Sequence, residues 1–488
     1  MQNVALIYRF PAIFVFNTDH MDIWVEIVML IVLISVVGIL ISENRHPVKT
    51  LCWIMVLCLL PGIGLLLYFI FGTNKKNKRL IGISQLEEFK ENVVRNYPDC
   101  IKSDIQGIHS DLAKLLWMTN RSVPLGRNSI RVFTECAEMF DSLIEDLGKA
   151  EDHIHFEFFK FEDDALGRRI GEILISKARA GVEVRVQYDH VANYTRGHFY
   201  KWLKKGGVQV EPFLKVRLPF LSSDTNYRNH RKIVVIDGKI GYAGGMNIAR
   251  RYATGIKRGN WRDTHFRVTG PAVMEMQIVF LTDWKFSSKQ MLTDNRYFPR
   301  VVSDENVVMQ IASSGPMDQW NVTMQGMMRI ITQARDYVYI ESPYLIPTDP
   351  VMSALRDSAL AGVDVRLIIP FHGDRGIIPP LATRSYVADA LEAGVKVYFY
   401  KGGYMHSKTI VSDDEIVTIG STNLDVRSFE QDFEMNAFIY DKSLAVSMKE
   451  IFLKDQNFSD EVNPEEWAAR PRVEKIKESY ARLFSPLL

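Results

Sequence analysis

Cysteine is scarce in this chain: 488 residues hold four, Cys52, Cys58, Cys100 and Cys136. None belongs to a Cys-x-x-Cys pair, so a zinc ribbon lacks its spacing and a disulfide-stapled secreted fold lacks its density. A dominant charge is missing as well. The 59 Lys and Arg against 58 Asp and Glu leave a formal +1, which excludes the global positive field of a nucleic-acid binder. No Gly-x4-Gly-Lys-[Ser/Thr] loop offers a cradle for nucleotide phosphates. Hydrophobicity is plentiful by contrast: 47% of the residues are apolar, which excludes disorder and is slightly high for an ordinary enzyme.

That excess sits in the first 75 residues. Ile23 to Ile41 carries one charge, Glu26, and as a helix would measure roughly 28 Å, close to a bilayer's hydrocarbon core. Leu51 to Phe71 carries none, and its Pro61, Gly62 and Gly64 are tolerable in a spanning helix. Asp19 and Asp22 precede the first run where a signal peptide would place basic residues. The expectation is a retained transmembrane hairpin over residues 23–75, with spans at 23–41 and 51–71, after an N-terminal segment 1–22. Lys75, Lys76, Lys78 and Arg79 follow the second span, whereas the connecting loop offers Arg45 and Lys49. The positive-inside rule then puts the rest of the chain in the cytoplasm.

Beyond residue 125 the chain is written twice. Lys149-Ala-Glu-Asp-His-Ile-His-Phe-Glu157 matches Gln333-Ala-Arg-Asp-Tyr-Val-Tyr-Ile-Glu341, and Ala180-Gly-Val-Glu-Val-Arg-Val186 matches Ala361-Gly-Val-Asp-Val-Arg-Leu367. Phe280-Leu-Thr-Asp-Trp-Lys-Phe286 matches Phe452-Leu-Lys-Asp-Gln-Asn-Phe458 in the same order. Each half reads as strand, helix, strand, which predicts a mainly parallel sheet with helices on its faces. Two α/β domains, 126–305 and 306–488, are therefore expected about a pseudo-two-fold axis, after a helical linker at 76–125.

The chemistry is duplicated too. His230-Arg-Lys232-Ile-Val-Val-Ile-Asp237 leads to Gly244-Gly245-Met246-Asn247, and His406-Ser-Lys408-Thr-Ile-Val-Ser-Asp413 leads at identical spacing to Gly420-Ser421-Thr422-Asn423. His and Lys two apart on a strand share a face. A two-residue turn at Asp237-Gly238 or Asp413-Asp414 would set Gly245 opposite His230 and Ser421 opposite His406, bringing each Asn back beside its His and Lys. Two such sets suit a phosphoryl centre. Lys232 and Lys408 neutralise its oxygens, Asn247 and Asn423 orient them, and one imidazole attacks phosphorus while the other passes a proton to the leaving alcohol. Asp237 and Asp413 are read as positioning groups, since a turn explains them without chemistry.

The duplicated His-x-Lys-x4-Asp element resembles the phospholipase D superfamily. With the two-helix hairpin and the closing Arg482-Leu-Phe-Ser-Pro-Leu-Leu488, the chain is most similar to bacterial cardiolipin synthases. The resemblance implies two phospholipase D-like domains behind a membrane hairpin, in a multi-pass protein of the bacterial cell membrane. It implies reversible phosphatidyl transfer between two phosphatidylglycerol molecules, giving cardiolipin and glycerol through a phosphatidyl-histidine, with neither metal nor cofactor. His230 would be the nucleophile and His406 the acid, then base; Lys232, Asp237, Lys408 and Asp413 complete the catalytic motifs, while Gly245, Asn247, Ser421 and Asn423 hold substrate. Acidic groups orient histidines in that family; of the candidates Glu157, Glu341, Asp263 and Glu434, the first two match better between the repeats. The partners implied are phosphatidylglycerol, cardiolipin and membrane lipid, without nucleic acid; a homo-oligomer is left open.

Rival readings are specific. His153, His155 and Glu157 alternate on one strand as metal ligands would, but their counterparts are Tyr337, Tyr339 and Glu341, so only the carboxylate persists. The Asp-rich signature of the CDP-alcohol transferases is missing. Phosphatidylserine synthesis or lipid hydrolysis would use the same motifs, and a catalytically dead membrane scaffold would need neither His nor Lys at matched positions.

Overall fold

The computed structural model describes residues 20–42, 47–68, 72, 91, 93, 102–216, 226–256, 259–373 and 376–488. Residues 1–19, the basic cluster from Lys75 to Arg79 and most of the expected linker up to residue 101 lie outside these. The described residues fall into two compact units, divided at residue 75.

The first unit is helical: His20–Ser42, Pro47–Leu59 and Pro61–Leu67. The second expected span is thus two helices. Pro61 has no amide hydrogen and drives the residue before it out of the helical region, and Leu60 is found at φ −133°, ψ 65°. Val36, Leu40, Leu57 and Tyr68 bury one another, and Trp53 meets Tyr68 edge-on at 5.5 Å between ring centres. The outward side chains are also apolar, Ile31, Ile34, Leu51, Met55 and Leu59 among them. Among the described residues no helix is long and apolar enough to cross a membrane.

The second unit holds both repeats. The first contributes β1 (Leu125–Phe133), β2 (His153–Phe158), β3 (Glu183–Asp189), β4 (Gln209–Phe213), β5 (Arg228–Asn229), β6 (Lys232–Ile236), β7 (Ile240–Gly244), β8 (Asn260–Arg262) and β9 (His265–Thr269). The second contributes β10 (Val307–Ser314), β11 (Tyr337–Glu341), β12 (Asp364–Pro370), β13 (Lys396–Tyr400), β14 (Gly403–Met405), β15 (Thr409–Ser412), β16 (Ile416–Gly420), β17 (Asp432–Tyr440) and β18 (Ser459–Glu461). One sheet runs β4-β3-β2-β6-β7-β9-β1-β10-β17-β16-β15-β11-β12-β13-β18. The halves are joined edge to edge through the antiparallel β1–β10 pair.

This corrects the expectation of a mainly parallel sheet. Along that run of strands only β2-β3-β4 and β11-β12-β13 are parallel, where helical crossovers such as Ala165–Arg179 allow it. The motif hairpins β6-β7 and β15-β16 are closed by short turns and must be antiparallel. Asp164 caps the Ala165–Arg179 helix by accepting the Gly167 amide at 3.0 Å, and Ile170 and Leu174 bury its inner face. On the other side of the sheet one apolar cluster takes Ile233, Phe266 and Met276 from the first half and Tyr339, Val411 and Ile419 from the second. The end of the expected linker is helical, and its Leu112 and Leu116 enter the second half's core.

Candidate active site

The turn after each motif strand fixes what that strand can present. Asp237 and Gly238 both lie in the left-handed region, at φ 53° and 64°, as do Asp413 and Asp414 at 52° and 53°. An extra residue then precedes the return strand, so Ile236 pairs with Ile240 and Ser412 with Ile416. The ladder is therefore one residue out from the predicted register, and the pairing of Gly245 with His230 and of Ser421 with His406 is not made. The Asp carboxylates reach the neighbouring strand. Asp237 accepts the amides of Glu151, Asp152 and His153 at 2.9, 2.8 and 2.9 Å. Asp413 accepts those of Arg335, Asp336 and Tyr337 at 2.8, 3.0 and 2.9 Å. They anchor the starts of β2 and β11 and are fully engaged there.

At the other end of each motif the two halves exchange strands. β5, just before His230, pairs in parallel with the start of β17, and β14, just before His406, pairs with β8. The His230 amide thereby bonds the Phe433 carbonyl at 2.9 Å, and the His406 amide the Arg262 carbonyl at 2.7 Å. The next residue of each partner strand is a carboxylate, and it meets the imidazole. His230 Nδ1 lies 2.9 Å from Glu434 Oε1, and His406 Nδ1 lies 2.6 Å from Asp263 Oδ2. Each histidine is thus oriented by the opposite repeat. A proton on Nδ1 shared with the carboxylate leaves Nε2 free for chemistry.

Glu157 and Glu341, the better matched candidates in sequence, do something else. Glu157 accepts from Asn229 and faces Asp283, which is paired with Arg231; Glu341 accepts from Thr409 at 3.1 Å and faces Asp455, which is paired with Arg262. Both are buried and pushed upward by burial, Glu341 to about 8. Sequence reasoning passed over Arg231 and Arg262. Arg231 is the middle residue of the first motif, and its guanidinium faces the Phe433 ring at 5.5 Å. In the second motif that middle position is Ser407, and Arg262, from the other half, reaches in to bond it at 3.0 Å. The signal was the unequal middle residue of two otherwise matched motifs, together with Asp283 and Asp455 at matched places in the repeat.

Asn247 is drawn away from the phosphate-orienting role that its spacing predicts. Its Oδ1 accepts the Lys160 amide at 3.1 Å and its Nδ2 donates to the Tyr252 hydroxyl at 2.7 Å. Asn423 sits beside Asp425. Gly245 and Ser421 serve the orienting carboxylates. A Cβ at 245 would overlap the Asp263 carboxylate, whereas Ser421 Oγ donates to Glu434 Oε2. His155, from the metal reading, stacks on Phe280 at 4.5 Å and meets Arg185 at 3.2 Å.

Lys232 and Lys408 are buried, and each ammonium is tethered to the carbonyl of its own histidine. An ammonium has three N–H groups, so donors remain for a ligand. Burial lowers Lys232 to about 7 and Lys408 to about 8, against the pull of Glu434 and Asp263. Burial, with these ammonium groups close by, holds both imidazoles well below 6.5. Burial also raises Asp263, and raises Glu434 to about 7. A monoanionic phosphodiester placed among these groups would favour the charged forms of both lysines.

Residues 143–284 and 327–456 match the family described as cardiolipin synthase, PLD-like domain, and residues 27–72 match the phospholipase D-nuclease N-terminal family. The chain belongs to the cardiolipin synthase family of the phospholipase D superfamily. It is 38% identical to the major cardiolipin synthase of Bacillus subtilis, over 92% of this chain and 96% of that one. It is 37% identical to a cardiolipin synthase of Listeria monocytogenes, over 91% and 95%. The phosphatidylserine synthase of Haemophilus influenzae shares the fold, with a TM-score of 0.60 at 14% identity, covering 77% of this chain and 99% of that structure. Family membership makes the chain a phosphatidyltransferase, and both duplicated motifs lie within the matched residues.

Proposed function

We propose that this cardiolipin synthase works through a phosphatidyl-histidine on His230. His230 Nε2 attacks the phosphorus of one phosphatidylglycerol, the bond to its glycerol headgroup breaks, and the His406 imidazolium gives the departing glycerol its proton. The terminal hydroxyl of a second phosphatidylglycerol then loses its proton to His406 and attacks the same phosphorus. The P–N bond breaks, cardiolipin leaves, and His230 is regenerated with no net proton change. Lys232 and Lys408 carry the negative charge of both transition states. One phosphodiester replaces another, so the equilibrium lies near balance and the reaction runs both ways. The reciprocal pairing of His230 with Glu434 and His406 with Asp263 carries this reading. It gives each imidazole the fixed tautomer that acid–base exchange requires.

Water at roughly 55 M competes with the acceptor alcohol, so transfer needs a site close to lipid. The apolar exterior of the first helical unit supports a membrane hairpin as anchor, and Lys75 to Arg79 support a cytoplasmic catalytic unit. The test is wild-type enzyme with phosphatidylglycerol alone and a chelator present, following glycerol, cardiolipin and phosphatidic acid together. Glycerol matched one for one by cardiolipin is expected. Phosphatidic acid as the main product would make the chain a hydrolase and overturn the reading.

A further inference from the structure

The helix Arg472–Arg482 is built inside out. Its buried residues are Glu478 and Ala481, while Val473, Ile476 and Tyr480 face solvent. Leu483, Phe484 and Leu487 extend the stripe past the helix end, and all six side chains are between 45% and 74% exposed. A helix packed for its own stability would turn such a stripe inward. Here polar contacts hold the inner face instead. Arg470 grips Glu478 through two bonds of 2.7 and 3.0 Å, and Arg482 bonds Asp389 at 2.7 Å with its guanidinium 4.0 Å from the Tyr386 ring. Among the described residues nothing covers the apolar face.

Its surroundings specify the occupant. From Arg470 to Leu488 there are five basic residues and two acidic ones; Arg470 pairs with Glu478 and Arg482 with Asp389, which leaves Arg472, Lys475 and Lys477 against Glu474. At helical spacing Arg472 and Lys477 flank the stripe on its two sides, where their stems can lie along an apolar phase and their charges meet phosphate. The stripe also adjoins the site. The Leu488 carbonyl accepts the Arg427 amide at 2.9 Å, and the Pro486 carbonyl accepts Gln431 Nε2 at 2.7 Å. Arg427 and Gln431 lie on the short loop and helix that follow Ser421–Asn423. Leu488 also packs with Ile346, Ala382 and Tyr344, just beyond Glu341 at the end of β11.

We infer that this stripe docks on the headgroup–acyl boundary of an anionic phospholipid bilayer, and so holds the mouth of the site against the surface that supplies its lipid. The inference rests on the lipid-transfer reading, and its test separates the two. Full-length enzyme carrying Ile476→Glu with Tyr480→Glu is assayed on phosphatidylglycerol vesicles and on a short-chain phosphatidylglycerol dispersed as monomers. The vesicle rate is expected to fall about tenfold or more through a higher KM for surface lipid, with the monomer rate within about twofold of wild type. Ile476→Leu with Tyr480→Phe should retain both rates. An unchanged vesicle rate overturns the proposal. So does an equal fall on both substrates, which would make the stripe part of the fold. Loss of self-association with the vesicle rate intact would make it a surface for a second copy, and likewise overturn it. Wild-type enzyme making no cardiolipin from the short-chain lipid would count against the transfer reading alone.

Discussion

His230 and Glu434 are 204 residues apart in the chain and 2.9 Å apart in space. On the proposed route the carboxylate fixes which ring nitrogen carries the proton and stabilises the imidazolium each time one forms. Glu434→Gln keeps the shape and removes the charge. It should lower kcat roughly 10²- to 10⁴-fold, with KM for phosphatidylglycerol little changed; glycerol release measures it, and a wild-type kcat would refute the orienting role. The two lysines set a pH limit. Because burial brings Lys232 to about 7 and Lys408 to about 8, raising the pH strips the ammonium charges that attract phosphate. Both imidazoles lie well below 6.5, so loss of the nucleophile by protonation falls on the acid side of that value. For a short-chain substrate, kcat/KM should decline as pH rises from 7 to 9. A profile flat to pH 9 would contradict these assignments.

At the scale of elements, the duplicated His-x-Lys strand, its turn and its return strand were legible because spacing and apolar alternation are local properties. The register was less so. A pattern of Asp-Gly or Asp-Asp marks where a hairpin turns, yet whether one more residue joins the loop depends on neighbours, here the three amides that Asp237 and Asp413 each draw in from the adjacent strand. Which of the four candidate acids meet the histidines was hidden for a related reason. Glu157 and Glu341 look better because they repeat as the same residue, whereas Asp263 and Glu434 differ in kind. What matters is the short parallel pairing of β5 with β17 and of β14 with β8, which carries no sequence signature. The exchange of Arg262 for an arginine at position 407 was hidden likewise. A charge required at one place in space can be carried by either half.

At the scale of the whole molecule, the repeats are more than two similar domains side by side. They share a continuous sheet and an apolar layer, and each completes the other's histidine. A single half would hold one His and one Lys with no carboxylate on the imidazole, which leaves no partner to accept and return the proton. The duplication visible in the sequence thus implies the architecture, and the crossing of its strands brings a carboxylate to the other half's histidine. The most direct test is to quench wild-type enzyme in alkali during turnover of phosphatidylglycerol labelled in its phosphate, then map the label by peptide. The label should sit on His230, stable to alkali and released by acid, and His230→Asn should lose both label and cardiolipin formation. Label on His406 instead, or cardiolipin formed at the wild-type rate by His230→Asn, would contradict the account.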